Sequence, residues 1–335
     1  MDKLKEWFLE KKRDLPWREG KTPYRVWISE VMLQQTRVVV VIPYFHRWME
    51  KFPTLQTLAK APLEEVIKTW EGLGYYSRAR NLHKAAQQMV THYHGEIPSD
   101  PEKLIELPGF GPYTRGAVLS FAFHKRAVAV DGNVIRVLSR YFACRENTSK
   151  RKHYESLTEK VLPREDPWIF MEALIELGAT VCQKKARCLE CPLQTHCRAF
   201  LEGKANQFPV KKKSFQTIYL KRQVAIVFHG EDVVVRQEKE AKIMQGLYEF
   251  PYTDLKSSLN LGLPLKKMRR LPLVKHGFTR YNVTLYPSVY WTDIKKEVDG
   301  CEWRKWTDLD RIPFSSGHRH ILEMLKDEDF THGKF

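Results

Sequence analysis

The sequence predicts two domains of different class: an all-helical N-terminal domain over residues 1–200 and a smaller α+β domain over 217–335. Three observations support this. Apolar residues recur at three- and four-residue spacing from the start to about Phe200. The stretch 201–216, which contains Pro209 and the lysine run 211–213, has low hydrophobicity and reads as a linker. Beyond it the apolar runs become strand-like and rich in β-branched residues.

The helical period is visible in LKEWFLEKK, VWISEVML, PLEEVIKTW, RNLHKAAQQMV, TRGAVLSFAF, NVIRVLSRYF and WIFMEALIELGATVC. Turn signals in GLGYYS, HGEIPSDP, LPGFGP and VDGN separate these runs. VVVVI suits a strand as well as a helix, because β-branched residues favour both a pleated surface and burial. In the C-terminal part, TIYLKRQVAIVFHGEDVVVRQE predicts a hairpin turning at His229 to Asp232. NVTLYPSVYWT predicts a further strand and SSGHRHILEMLK a closing helix. No internal repeat is evident.

Lys and Arg number 56 against 40 Asp and Glu, a formal net charge of +16. Such an excess favours polyanions, since neutralised phosphates release condensed counterions. The N-terminal residues contain no apolar signal region, and the longest apolar run, around Val38 to Phe45, is too short to span a bilayer. The expectation is an intracellular, cytoplasmic protein with its thiols reduced. Six cysteines in 335 residues exclude a disulfide-rich scaffold. Four of them, Cys182, Cys188, Cys191 and Cys197, crowd into VCQKKARCLECPLQTHC. That density predicts a multidentate thiolate site, which fits tetrahedral zinc or a [4Fe–4S] cluster. Cys144 and Cys301 are isolated and read as packed side chains.

LPGFGPYTRGAV places Gly109 and Gly111 between two helical runs, with Pro112 where a helix begins. Glycines permit close backbone approach, and the N–H groups opening the next helix suit a phosphate. An ordinary glycine-capped αα-hairpin fits the same residues. Glu30 lies inside the apolar run VWISEVML. Burial there would raise its pKa and suit a general acid, although spacing alone equally fits a glutamate paired along the helix. Asp131, after AVAV and before the helix of VIRVLSR, is placed to cap that helix.

Together, DLPWR, ISEVMLQQTRV, GLGYYSRARNL, LPGFGPYTRGAV, AVDGNVIRVLSR, EALIELGATVC and the four-cysteine loop resemble the helix–hairpin–helix DNA glycosylases of the endonuclease III superfamily, and within it the adenine-removing MutY branch. The likeness is good over roughly the first two hundred residues and weaker beyond. It implies a monomeric enzyme acting on double-stranded DNA that holds adenine opposite 8-oxoguanine or guanine. It also implies a hydrolytic step in which a protonated acid serves the leaving base and a carboxylate shelters the cationic sugar. By resemblance Glu30 is the acid, Asp131 the carboxylate and Asn133 its orienting partner. Tyr113 stands where the bifunctional branch has a Schiff-base lysine, which implies a monofunctional enzyme that leaves an abasic site. Glu172, Trp17, Arg18 and Leu33 would line the base pocket. Gln35, Thr36, Leu73 and Tyr75 would wedge or hold the opened duplex, with Gly109 and Gly111 on the phosphate.

The resemblance further implies a [4Fe–4S] cluster, with Lys184, Lys185 and Arg187 facing the DNA backbone. The first cysteine gap is five residues here where six is usual. It also implies a C-terminal domain related to Nudix hydrolases, since EKEAKIMQGLYEFP resembles a segment of that domain. No run of paired glutamates with an arginine occurs in 217–335, so this domain is expected to bind and not hydrolyse. Its recognition loop, Phe-Ser-His in the family, reads Phe278, Thr279 and Arg280. Arg280 puts a cation in place of a ring, which fits lesion reading or a phosphate contact. Two other readings stand beside this one: an endonuclease III-like glycosylase/lyase, opposed by Tyr113, and a non-catalytic damage-binding protein, opposed by Glu30 and Asp131.

Overall fold

Helices dominate the chain up to residue 201, for the reason the apolar spacing gives. The computed structural model describes residues 2–210, 216–239 and 243–327. The elements in order are α1 (Asp2–Lys11), α2 (Pro23–Leu33), α3 (Val38–Lys51), α4 (Leu55–Lys60), α5 (Leu63–Trp70), α6 (Ser77–His92), α7 (Pro101–Ile105), α8 (Pro112–Phe121), α9 (Gly132–Tyr141), α10 (Arg151–Val161), α11 (Pro167–Thr180) and α12 (Arg198–Leu201). The ambiguous VVVVI opens α3, where Val41, Phe45 and Trp48 fall on one buried stripe. Pro at the first helical position opens α2, α7, α8 and α11, where its missing N–H has no role.

Two packed units arise from these elements. The first comprises Met1–Lys60 and Asn81–Ser214. Its core joins Leu4 and Phe8 of α1, Ala117 and Phe121 of α8, Val134, Val137 and Leu138 of α9, and Phe170, Met171, Leu174 and Leu177 of α11. α11 is apolar almost all round and largely buried, as a central helix must be. Gly116 on α8 lets the chain at Val128 pass against it: a Cβ there would meet the Val128 carbonyl oxygen at 1.9 Å. The predicted linker remains built into this unit through Val210, with Ala205–Gln207 as a 3₁₀ turn and Phe208 buried. Residues 211–215 of that stretch lie outside the described set.

The second unit comprises Ala61–Arg80 with Phe215–Phe335. Its sheet contains β1 (Ile218–His229), β2 (Asp232–Gln237), β3 (Tyr248–Glu249), β4 (Tyr252–Asp254), β5 (Lys266–Arg270), β6 (Val274–Phe278), β7 (Tyr281–Trp291) and β8 (Glu302–Lys305). The main path runs β3-β2-β1-β7-β5, with β1 parallel to β7 from Ile218↔Tyr281 to Phe228↔Trp291 and the other pairs antiparallel. The β1–β2 hairpin turns at His229↔Asp232, as the sequence predicts. α13 (Ser316–Asp327) closes one face with Ile321, Leu322 and Leu325.

The inclusion of residues 61–80 in this unit is not readable from the sequence. Glu71, after α5, is its anchor: its carboxylate accepts from Arg319 Nε at 2.7 Å and Nη2 at 3.1 Å, and from the Phe314 N–H at 3.0 Å. Lys68 adds a further donor at 2.6 Å. Both partners of the arginine pair are largely shielded, at 15% and 13% side-chain exposure. Removing one partner strands the other charge. Glu71→Ala should therefore destabilise the second unit by about 3 kcal/mol, read as a lower urea midpoint, while Glu71→Gln should lose less. An unchanged midpoint for Glu71→Ala would show the anchor to be dispensable.

Candidate active site

The N-termini of α8 and α9, the interiors of α2 and α11 and the segment after α1 build the site in the first unit. α2 is buried at Tyr24 and from Val26 to Met32, and Glu30 is carried inside with it, at 9% exposure. The Tyr113 hydroxyl, from the first turn of α8, donates to Glu30 Oε2 at 2.6 Å. Burial pushes the Glu30 carboxyl up to about 7; the Tyr113 hydrogen bond opposes this, Glu172 and Asp131 add to it, and Arg18 opposes it. Burial likewise holds the Tyr113 phenol well above its ordinary value, so it stays a neutral donor.

Asp131 caps α9. Its Oδ1 accepts from the Asn133 N–H at 2.9 Å and the Val134 N–H at 2.8 Å. Its Oδ2 accepts from Asn133 Nδ2 at 2.7 Å. Burial raises its pKa, and these three hydrogen bonds pull the other way. The capping geometry therefore fixes both carboxylate oxygens at a helix N-terminus, where negative charge is favoured. Asn133 is itself oriented by Arg136, whose Nη2 donates to Asn133 Oδ1 at 2.6 Å and to the Gly178 carbonyl at 2.7 Å, and whose Nε donates to the Cys182 carbonyl at 2.7 Å.

Glu172 of α11 is buried and ion-paired with Lys21, with Arg18 Nε at 3.9 Å. Trp17 is buried and packs edge-on against Phe45. Leu33, one turn after Glu30 on α2, is half-buried. Tyr113, Asp131, Glu172 and Arg18 thus all lie within electrostatic reach of Glu30. Two residues of this neighbourhood escaped the sequence reading. Glu176 is 1% exposed and bonded to Arg13 and Arg18. Its signal was present in EALIEL: two acids four apart on an apolar helix must both find partners inside. Gly178 is the other. A Cβ there would meet Asn133 Cβ at 2.5 Å, so only glycine lets α11 reach the residue that holds Asp131.

The remaining predicted residues fall as follows. Gly109 has φ +84 and Gly111 caps α8 without a side chain, so the hairpin leaves the N–H groups of the first turn of α8 open to an anion. Gln35 is exposed with φ +58, and Thr36 follows it, half-buried. In the second unit Tyr75 has φ +49 and is 45% exposed, its turn braced by Arg78 Nη2 on the carbonyls of Leu73 and Gly74. Leu73 is buried, so it supports that turn instead of projecting from it. Phe278 ends β6 and Thr279 and Arg280 form the turn to β7, with Thr279 at φ +49 and Arg280 over the Tyr281 ring.

Cys182 follows α11, Cys188 opens a 3₁₀ turn, and Cys197 caps α12. Burial raises the Cys188 and Cys197 thiols and pushes Cys191 up to about 12, and Cys182 adds to each shift. Arg140 donates to Cys182 Sγ at 3.2 Å. Cys188, Cys191 and Cys197 therefore resist ionisation without a metal's positive charge beside them, and an all-sulfur donor set suits soft metals and iron–sulfur centres. Among the described residues, no group of three or more His, Cys, Asp or Glu is arranged to hold a metal ion as the side chains stand. Lys184, Lys185 and Arg187 are exposed on this loop, Arg187 being paired with Glu190. Cys144 and Cys301 are partly buried against apolar clusters. No described helix is long and apolar enough to cross a membrane.

Glu30 is bonded to the first helical turn after the glycine hairpin, and comparison with known proteins makes the chain a DNA N-glycosylase of base excision repair. Residues 28–163 match the HhH-GPD superfamily of base excision DNA repair proteins, and 223–324 match the NUDIX domain. A thermostable thymine-DNA glycosylase superposes with a TM-score of 0.55 at 28% identity, over 60% of this chain and 94% of that one. An endonuclease III in non-covalent complex with DNA does so at 0.53 and 30%, with the same coverage. An adenine DNA glycosylase of Buchnera aphidicola is 34% identical over 85% of this chain and 83% of its own length. Its counterpart in Mus musculus is 32% identical over 97% and 77%. The chain belongs to the adenine DNA glycosylase family.

Gly178→Ala should push Asn133 and disturb Asp131. The expected result is a loss of roughly 100-fold in single-turnover rate, with about 2 kcal/mol of destabilisation. A rate within twofold of the parent would show that the α9 N-terminus tolerates the displacement.

Proposed function

We propose that the enzyme removes adenine mispaired with 8-oxoguanine or guanine from duplex DNA, and that it leaves an abasic site uncut. The observation that carries this reading is the convergence of Glu30, Tyr113 and Asp131 in one buried site. The adenine leaves the stack first, at a cost of roughly a few kcal/mol per unstacked step. Gln35 fills the gap with Thr36 beside it, and Gly109 and Gly111 seat a phosphate; Tyr75, on the turn that Leu73 supports within the second unit, is a wedge candidate in its own right. Trp17, Arg18, Leu33 and Glu172 line the base pocket.

Glu30 then gives its proton to the departing purine. A carboxyl titrating near neutrality is the form in which a general acid works best. Tyr113 keeps Glu30 aimed through its hydroxyl, and has no amine with which to form a Schiff base. Asp131 shelters the positive charge that develops on the sugar, and Asn133 holds it in place. Residues 217–335 serve as the opposite-base module, with Phe278, Thr279 and Arg280 at its reading turn. Cys182, Cys188, Cys191 and Cys197 would hold a [4Fe–4S] cluster, which would supply positive charge to keep the thiolates ionised. The same loop carries Lys184 and Lys185, which would meet the DNA backbone.

Three outcomes are expected. Glu30→Gln should lose adenine release by at least about 10²-fold while still binding duplex; release at the parent rate would refute the acid assignment. Protonated Glu30 is depleted as pH rises, so the single-turnover rate should decline on the alkaline side of about 7. A rate that instead climbs through pH 8 would point to a base. Duplexes with each opposing base, developed with and without alkali, should show faster release opposite 8-oxoguanine and no nicking without alkali. Efficient nicking, or a borohydride-trapped adduct, would favour the lyase reading.

A further inference from the structure

Glu176 is the most deeply buried charged group near the site, and the mechanism above does not use it. Its Oε1 accepts from Arg13 Nε at 2.6 Å and from the Arg13 N–H at 3.3 Å. Its Oε2 accepts from Arg13 Nη2 at 3.1 Å and Arg18 Nη2 at 2.9 Å. Arg18 Nη1 in turn donates to the Arg13 carbonyl at 2.7 Å. Two arginines from the segment after α1 are therefore locked onto α11. One of them, Arg18, also faces Glu172 at 3.9 Å and acts electrostatically on Glu30.

The charges that face Glu30 come from every surrounding element. Tyr113 contributes its hydroxyl from α8, Asp131 its carboxylate from the cap of α9, and Glu172 its carboxylate from α11. Arg18 is the cation among them, while Lys21 stands on Glu172 and Arg151 acts on Tyr113. An unrestrained guanidinium in this group would move to the acids and favour their ionised forms. A general acid needs the opposite. Burial alone would push Glu176 up, but Arg13 and Arg18 hold its carboxyl below the ordinary range, so it stays an anion that can hold Arg18.

We propose that Glu176 is a positioning residue for base release: by clamping Arg18 with the help of Arg13, it withholds that cation from Glu30 and fixes it beside Glu172. This rests on the reading of Glu30 as the acid. It goes further in assigning the site's charge balance to a residue that touches neither the base nor the sugar.

The test is the pH profile of single-turnover adenine release, measured on the whole 335-residue chain. In Glu176→Gln the clamp loses its charge, so the two arginines are no longer neutralised. Glu30 should then ionise at lower pH, and the alkaline limb should move down by roughly half a unit to one unit, with little change well below neutrality. In Arg13→Gln the anion is under-compensated, so the limb should move up. Circular dichroism and thermal melting establish that each variant is folded; should Glu176→Gln fail to fold, the direction of the Arg13→Gln shift decides alone. A uniform loss of rate with an unmoved limb, or a limb moved the same way by both variants, would overturn the proposal. Glu30→Gln is run beside them. If it retains release, the acid assignment falls; if it loses release while the limb stays fixed in the other two, only the role of Glu176 falls.

Discussion

An ionisable carboxyl kept out of water is the constraint on which this structure turns. Glu30 cannot leave the interior without unwinding α2, because Tyr24 and Val26 to Met32 are buried along the same helix. Desolvation then does the chemical work of holding a proton near neutrality. A buried carboxyl also needs a hydrogen-bond partner, and Tyr113 supplies one at the start of α8. That obliges α8 to lie close, and Gly116 on the same helix is where a neighbouring carbonyl would otherwise collide with a side chain.

α11 organises what surrounds this acid. It is a central helix that is apolar on nearly every face, yet it carries Glu172 and Glu176 inward. Each is tolerated because it is paired: Glu172 with Lys21, Glu176 with Arg13 and Arg18. Its last turn presents Gly178 to Asn133, and its C-terminal end leads directly to Cys182. Arg136 joins these features by bonding Asn133, the Gly178 carbonyl and the Cys182 carbonyl. The cap that holds Asp131 and the start of the cysteine loop therefore share one guanidinium, so order in the loop and order at the carboxylate are physically linked.

The second unit has a different logic. A mixed sheet built on the long parallel β1–β7 pair buries one face under α13. Onto it the chain returns residues 61–80, secured by the carboxylate of Glu71. The turn bearing Tyr75 is thus braced at two points: by Arg78 over Trp70 within the segment, and by Glu71 on Arg319.

What the sequence determined by itself was local and periodic. The helices before residue 201 follow from apolar spacing, the β1–β2 hairpin from β-branched runs about a turn, and the Asp131 cap from its position before α9. Glu30, Asp131, Tyr113 and the four cysteines stood out in the sequence because each sits in a short motif, and the structure bonds Tyr113 to Glu30. VVVVI was not, since β-branched residues satisfy a strand and a buried helical stripe alike, and only packing through Val41, Phe45 and Trp48 chose the helix. Tertiary structure alone decided that Glu176 holds two arginines more than 150 positions away, that Gly178 must lack a side chain, that Leu73 turns inward, and that residues 61–80 pack with the sheet. These depend on long-range juxtaposition, and a periodicity of two or 3.6 residues carries no information about which distant face will meet which.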